Sequence, residues 1–276
     1  MSDLIVVILA GGVGKRMNSN LPKVLHLVAN KPMLVKIIEE AQALLPNKIL
    51  IVVGKYYPII KTTIETYLPA DFIKKNIDYI HQEEPLGTGH ALQCGIPFFQ
   101  DETANILVLS GDVPLLRTET MKKIIAADAD GDGNGNSNSN RNSNRDSGVS
   151  AQNNKHAHIT VTNLDNPTGY GRIIKNHETK KFDRIVEEKD CSDQERKVAT
   201  VNCGIYYFSA SLLCKYLPLL KNDNSQKEYY LTDIVGILSN EGYDITMVEI
   251  SKENQFEILG VNTEEQLKEL NTYIFL

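Results

Sequence analysis

Apolar positions along this chain fall into short blocks whose period changes from block to block. Leu4 to Leu9 is an unbroken aliphatic run with no alternation, the pattern of a strand buried on both faces. Residues 33–45 space their apolar side chains helically, and Pro46 stops the pattern. Lys48 to Gly54 reads as a second buried strand, Ile59 to Leu68 as a helix and Ile77 to His81 as a short strand. A helix is predicted over Thr88 to Phe98 and another buried strand over Asn105 to Ser110, closed by Gly111 and Asp112. Thr118 to Asp128 is read as helical, with Thr118 as N-cap. His158 to Leu164 alternates like a strand, and 166–173 reads as a loop. Val201 to Phe208 and Ile245 to Ile250 are strands; Tyr229 to Ser239 and Glu264 to Leu270 are helices, the last capped by Thr263. Strands alternating with helices of this length predict an α/β fold built from βαβ units around a parallel sheet.

One stretch breaks the rhythm. Residues 128–155 are Gly, Asn, Ser and Asp with almost nothing apolar, too little to offset the entropy of ordering, and are read as a disordered low-complexity insert. Asp128, Asp130, Asp132 and Gly133 imitate the start of an EF-hand loop, but its twelfth position holds Ser139 instead of the bidentate Glu. The chain is therefore taken as a single domain over 1–276, with halves 1–127 and 156–276 sharing one sheet. Its 276 residues can bury an ample core. A net charge of −6 without a basic block argues against nucleic acid as partner. No run approaches a membrane span and the first residues do not make a signal peptide. Four cysteines without paired spacing imply reduced thiols, no zinc site and a cytoplasmic location.

The candidate chemistry starts where the first strand ends. Gly11, Gly12 and Gly14 allow a sharp turn and close backbone approach to a ligand, and Lys15, Arg16 and Lys23 follow at once. Bare N–H groups with three cations nearby suit a polyphosphate. A Walker P-loop is excluded, because its required first Gly and its Ser or Thr are replaced by Leu9 and Arg16. The dinucleotide fingerprint fails at Met17, where the third Gly should stand. In open α/β sheets, ligands bind beyond the carboxyl ends of the strands. That rule gathers the glycine loop, Gln82, the run Gly87-Thr88-Gly89-His90 and Asp112. Gly87 and Gly89 flanking Thr88 offer N–H groups and a hydroxyl for a base or sugar, or else Thr88 is a plain helix N-cap. Asp112 is the candidate metal ligand, and equally a turn residue by spacing alone; Asn262 is a weaker one. Glu187 and Glu188 suit the hydroxyl or amide groups of a sugar, or a solvated strand end. His90, Tyr229 and Tyr230 read most simply as structural.

Together these motifs resemble one family. Leu9-Ala-Gly-Gly-Val-Gly-Lys-Arg-Met17 with Leu21-Pro-Lys-Val-Leu-His26 is similar to the signature of sugar-1-phosphate nucleotidyltransferases. Gln82, Leu86-Gly-Thr-Gly-His-Ala91, Gly111-Asp-Val-Pro-Leu115, Asn166 to Ile173, Val186 to Asp190, Glu228 to Asp233 and Gly260-Val-Asn262 follow in order. The set resembles the uridyltransferase domain of bacterial bifunctional enzymes that make UDP-N-acetylglucosamine. The resemblance implies a Rossmann-like nucleotidyltransferase fold, a mixed, mostly parallel sheet flanked by helices. Within it, 1–127 would be the nucleotide-binding half and 156–276 the sugar-binding half. It further implies UTP and N-acetylglucosamine 1-phosphate as substrates, UDP-N-acetylglucosamine and pyrophosphate as products, and Mg2+ as cofactor. Glucose 1-phosphate as the sugar, or a non-catalytic nucleotide-sugar sensor, are the alternatives. On matching positions, Leu9, Gly11, Gly12, Arg16 and Lys23 would hold the triphosphate, with Arg16, Lys23 and Asp112 catalytic. Gln82, Gly87 and Thr88 would read uracil, Asp112 and Asn262 would bind the metal, and Gly171, Glu187 and Asn202 would hold the sugar. Cys203 departs from the family's usual Thr. The bifunctional enzymes that this chain resembles continue into a hexapeptide-repeat β-helix that acetylates glucosamine 1-phosphate and builds a trimer. No such repeat occurs in these 276 residues, so no acetyltransferase activity is expected, and a monomer or weak dimer is expected.

Overall fold

A computed structural model describes residues 3–12, 17, 19, 21–99, 101, 103–127, 155–179 and 181–272. The insert, apart from Lys155, lies outside the described residues, as do Gly14, Lys15 and Arg16 of the opening loop. The chain begins with β1 (Leu4–Leu9), a tight hairpin of β2 (Leu27–Val28) and β3 (Lys31–Pro32), then α1 (Met33–Gln42) and β4 (Lys48–Val53). It continues through α2 (Tyr57–Tyr67), α3 (Ala70–Asn76), β5 (Ile77–His81), α4 (Thr88–Gln93), β6 (Asn105–Ser110) and α5 (Thr118–Ala126). After the insert come β7 (Ala157–Asn163), β8 (Arg172–Lys175), β9 (Phe182–Val186), β10 (Thr200–Ser209) and α6 (Ala210–Tyr216). The last elements are α7 (Thr232–Asn240), β11 (Thr246–Glu249) and α8 (Glu264–Thr272).

The main sheet runs β11-β7-β10-β6-β1-β4-β5, parallel except where β10 enters against β6 and β7, with the β8–β9 hairpin attached to β10. Its strands divide their side chains by parity, as a pleated strand must. Val6 and Ile8 of β1 join Ile49, Ile51, Leu107 and Leu109 under α1, α2 and α5. Ile5 and Val7 join Leu50, Val52, Ile106 and Val108 under α4, α6 and α7. The result is helices on both faces of one sheet, the three-layer α/β arrangement. A smaller cluster of Met17, Val28, Met33, Val261 and Leu270 seats α8 beside the hairpin. There Asn271 Oδ1 accepts the Ala29 N–H at 3.1 Å.

Several local expectations are corrected. Thr118 is the first residue of α5, not its cap: its hydroxyl donates to Glu40 Oε2 at 2.6 Å, with the Glu40 carbonyl 3.0 Å away, and its N–H donates to the same Oε2 at 2.8 Å. The α-helix expected over 88–98 stops at Gln93, because Pro97 has no N–H to continue the ladder, and residues 96–98 tighten into a single 3-10 turn. Residues 166–173 are not all loop, since Arg172 and Ile173 open β8 and pair with Val186 and Ile185. Tyr229 to Leu231 is not helical. Tyr229 instead donates its N–H to the Leu86 carbonyl at 2.7 Å and accepts from Gly89 N at 2.7 Å, while α7 starts at Thr232. Thr263 does cap α8, accepting the Gln266 N–H at 3.3 Å, and Gln266 Oε1 reaches back to the Thr263 N–H at 3.2 Å, a capping box, and also accepts Asn262 N at 2.7 Å.

Candidate active site

The carboxyl ends of β1, β5 and β6 open into a cavity of about 470 Å³. Leu9, Gly11 and Gly12 come from the end of β1, Gln82 from the end of β5, and Ser110 and Asp112 from the end of β6. Gly87, Thr88 and Glu228 close the far wall, and Lys23 reaches in from the segment after the glycine loop. Gly87 takes φ +113°, and a Cβ there would lie 2.5 Å from the Tyr229 carbonyl, so only glycine fits this wall. Thr88 does not cap α4 with its side chain. Its hydroxyl accepts the Leu231 N–H at 3.1 Å, tying the 86–89 loop to the 228–231 segment.

A second cavity of about 450 Å³ continues from the first through the shared residues Leu9, Thr88, Ser110 and Asp112. Its outer walls are the 168–171 loop, Glu187, Asn202, Thr232 and the 260–262 turn. Asn202 is aimed by a bulge in β10: pairing to β7 shifts register between Asn202 and Tyr206, where Gly204 takes φ +73°. The Asn202 amide nitrogen donates to Tyr206 Oη at 2.7 Å, and its oxygen accepts Gly204 N at 3.2 Å. Gly171 is held in register with it, since Asn202 N donates to the Gly171 carbonyl at 2.8 Å. Glu187 accepts the Thr232 hydroxyl at 3.0 Å. Burial pushes the Glu187 carboxyl above its usual range, the Thr232 bond opposes this, and Asp233, Asp190 and Glu228 add to it. Burial also pushes the Cys203 thiol up to about 12, so it stays protonated and inert.

At the junction of the cavities lies a convergence of oxygen atoms. The Lys23 ammonium pairs with Asp112 Oδ2 and donates to Asn262 Oδ1 at 3.0 Å. Ser110 Oγ donates to Asp112 Oδ1 at 2.5 Å. The 260–262 turn is fixed to β6, because Val261 N donates to the Asp112 carbonyl at 3.0 Å. A cation thus already sits where a carboxylate and an amide oxygen meet, and hard oxygen donors of this kind suit Mg2+. Among the described residues no group of three or more His, Cys, Asp or Glu could hold a metal. The donor set therefore fits an ion completed by phosphate and water oxygens, not an all-protein cage.

Of the residues singled out in the sequence, Leu9, Gly11, Gly12, Lys23, Gln82, Gly87, Thr88, Gly171, Glu187, Asn202 and Asn262 line these two joined cavities with Asp112. Arg16 lies outside the described residues. Sequence reasoning gave no role to Ser110, Tyr206, Glu228 or Thr232, which line the cavities. Ser110 ends the β6 run, so its position at a strand's carboxyl end was a usable signal. Glu228 and Thr232 fall inside the motif run Glu228 to Asp233, which named no role for either.

The model of the MobA-like NTP transferase domain matches residues 6–144. A protein of Acanthamoeba polyphaga mimivirus named "Probable UDP-N-acetylglucosamine pyrophosphorylase" is 38% identical over 266 residues, covering 96% of this chain and 94% of its own length. The "Bifunctional protein GlmU" of Paraburkholderia phymatum is 38% identical over 265 residues, 96% of this chain and 51% of its own length. That of Legionella pneumophila is 38% identical over 270 residues, 97% of this chain and 51% of its own. The chain spans about half the length of these bifunctional relatives. A solved structure from Bacillus anthracis, assigned as a glucose-1-phosphate thymidylyltransferase, superposes with a TM-score of 0.68 over 98% of this chain and 94% of its own, at 19% identity. That likeness concerns the fold. The chain belongs to the family of MobA-like NTP transferase domains and is a nucleotidyltransferase.

Proposed function

We propose that this nucleotidyltransferase moves the uridylyl group of UTP onto N-acetylglucosamine 1-phosphate, releasing pyrophosphate and UDP-N-acetylglucosamine. The observation that carries the reading is the junction itself: Lys23, Asp112 and Asn262 meet where a nucleotide-sized cavity runs into a second one walled by Glu187 and Asn202. The name of the mimiviral relative supports the choice of sugar and base. In the reaction a phosphate oxygen of the sugar phosphate attacks the α-phosphorus of UTP. The bond between the α-phosphorus and the bridging oxygen breaks, and pyrophosphate leaves with the electron pair. The nucleophile is already an anion, so no general base is required. The enzyme's task is to hold two anions in line and offset the developing charge.

Asp112 and Asn262 would hold Mg2+, which supplies charge neutralisation on the triphosphate when bound. Lys23 and Arg16 would hold phosphate oxygens beside Leu9, Gly11 and Gly12. Gln82, Gly87 and Thr88 would read the base, and Gly171, Glu187 and Asn202 the acetylated sugar. Residues 1–127 would form the nucleotide half and 156–276 the sugar half of one domain working as a monomer or weak dimer in the cytoplasm. Among the described residues no helix is long and apolar enough to cross a membrane.

The test is pyrophosphate release from UTP and Mg2+ with N-acetylglucosamine 1-phosphate, glucose 1-phosphate or no sugar. Release with the acetylated sugar alone, abolished by EDTA, is the expected result. Release with glucose 1-phosphate alone would move the substrate. No release with either sugar, from folded protein that binds UTP, would make the chain a nucleotide-sugar sensor.

A further inference from the structure

Gln82 is 7% exposed at the floor of the first cavity, and its amide is wired on one side only. The Gly87 carbonyl lies 3.0 Å from one amide atom; a carbonyl can only accept, so that atom is the nitrogen. The same nitrogen lies 3.1 Å from His90 Nδ1. With one amide proton committed to Gly87, the other points at His90, and Nδ1 must accept it. The ring proton then sits on Nε2, which faces Cys94 Sγ at 3.8 Å, a weak acceptor. Both amide protons are consumed inside the protein. The amide oxygen is left on the Gly11 side, where a Cβ on Gly11 would stand 3.3 Å from it, and offers the cavity only lone pairs.

We infer that His90 is a positioning residue for base selection: with the Gly87 carbonyl it locks the Gln82 amide oxygen-outward, so that the site favours a base presenting a ring N–H. The inference rests on the uridine-nucleotide reading above and deepens it. Uracil carries a hydrogen at N3, whereas cytosine carries a lone pair there. Turning the Gln82 amide to suit cytosine would set its oxygen against the Gly87 carbonyl, an acceptor–acceptor contact in a buried site, and would force the His90 ring proton from Nε2 to Nδ1. His90 therefore acts through Gln82 and not on the nucleotide itself.

Binding of UTP and of CTP, each with Mg2+, is measured by calorimetry on the full chain, on His90→Leu and on His90→Asn. The wild type is expected to prefer UTP. His90→Leu should lose about ten-fold of that preference, the scale of one hydrogen bond, while its KM for the sugar phosphate stays unchanged. His90→Asn, whose side-chain oxygen can accept in place of Nδ1, should keep most of the preference. Nitrogen NMR of the unaltered protein should show His90 protonated at Nε2 and bare at Nδ1. A folded His90→Leu with an unchanged UTP to CTP ratio, or a ring protonated at Nδ1, would overturn the inference. The ring measurement decides alone if His90→Leu does not fold. Equal binding of UTP and CTP by the wild type would overturn it whatever the sugar. Preferential UTP binding with no pyrophosphate release from any sugar would sink the proposed activity and leave this inference standing.

Discussion

The cavity around Gln82 and the cavity around Asn202 share Leu9, Thr88, Ser110 and Asp112, yet their remaining walls differ in kind. The first is formed at the carboxyl ends of parallel strands β1, β5 and β6, with Gly11, Gly12 and Gly87 in its wall, Lys23 projecting in and Gln82 beside them. The second is formed by a bulge in the antiparallel β10, the β8–β9 hairpin and α7, and its polar groups are a carboxyl, an amide and hydroxyls. Bare N–H groups and ammonium suit phosphate; a carboxylate that accepts and amides that both give and accept suit a sugar's hydroxyls and acetamide. Under the proposed function, strand direction divides the labour: parallel strand ends would supply backbone for anions, and the antiparallel additions would supply side chains for a neutral ring.

The contrast breaks first at the junction. Lys23→Ala or Asp112→Ala should cut turnover about 10²-fold or more, the scale of losing one transition-state electrostatic contact, read from pyrophosphate release at saturating substrates. Near wild-type turnover in both would contradict the account.

On the sugar side, the loop that carries Gly169 and Gly171 hangs on one buried cation. Arg172 is 1% exposed and donates to Glu188 Oε2 at 2.7 Å and to the Tyr170 carbonyl. Glu188 also accepts Gly169 N at 3.1 Å. Glu188→Ala would leave the guanidinium buried without its carboxylate, costing about 2 kcal/mol, below the range for a fully buried pair because solvent reaches Glu188. Urea unfolding gives the value, and a loss under about 0.5 kcal/mol, the size of ordinary surface substitutions, would remove the clamp from the account.

Asp233 sharpens the same side through pH. Burial, and after it the Asp190 charge, raises its carboxyl from 3.8 to about 6. The folded protein holds that proton where the unfolded chain has released it. Stability from this group is therefore full below about pH 4 and is lost as pH rises through about 6. Such a shift corresponds to about 3 kcal/mol at full weight, screened by partial exposure to about 1 kcal/mol. Asp233→Asn should stabilise the protein by that amount at pH 7.5 and by nothing at pH 4, read from melting curves at both. An equal gain at both pH values would show that charge is not the cause.

The smallest effect is expected at Cys203. A thiol replaced by a hydroxyl exchanges a weak hydrogen-bonding group for a stronger one without deleting a bond, so Cys203→Thr should change the KM for the sugar phosphate by about three-fold or less, below the roughly ten-fold of a whole bond. A larger change would make this position a determinant of sugar choice.

The sequence made β1, β4 and β6 plain because strands buried on both faces leave uninterrupted aliphatic runs, and the strand-end rule then gathered Gln82 and Asp112. It did not show the bulge that aims Asn202, since a glycine at φ +73° leaves no periodic trace. Nor did it show that Tyr229 to Leu231 pairs with the 86–89 loop, because apolar spacing there matches a helix until tertiary contacts overrule it. Thr118 carries the composition of a cap but is recruited by Glu40, 78 residues away. The metal-type junction depended on a motif resemblance, because Asp112 and Asn262 are far apart in the chain and each alone reads as a turn residue.

The division of labour is tested most directly by one measurement: the KM values of Asn202→Ala for UTP and for N-acetylglucosamine 1-phosphate. The account expects the sugar-phosphate KM to rise about ten-fold, the scale of a lost hydrogen bond in a closed site, with the KM for UTP unchanged. A rise in the KM for UTP equal to or larger than that for the sugar would contradict it.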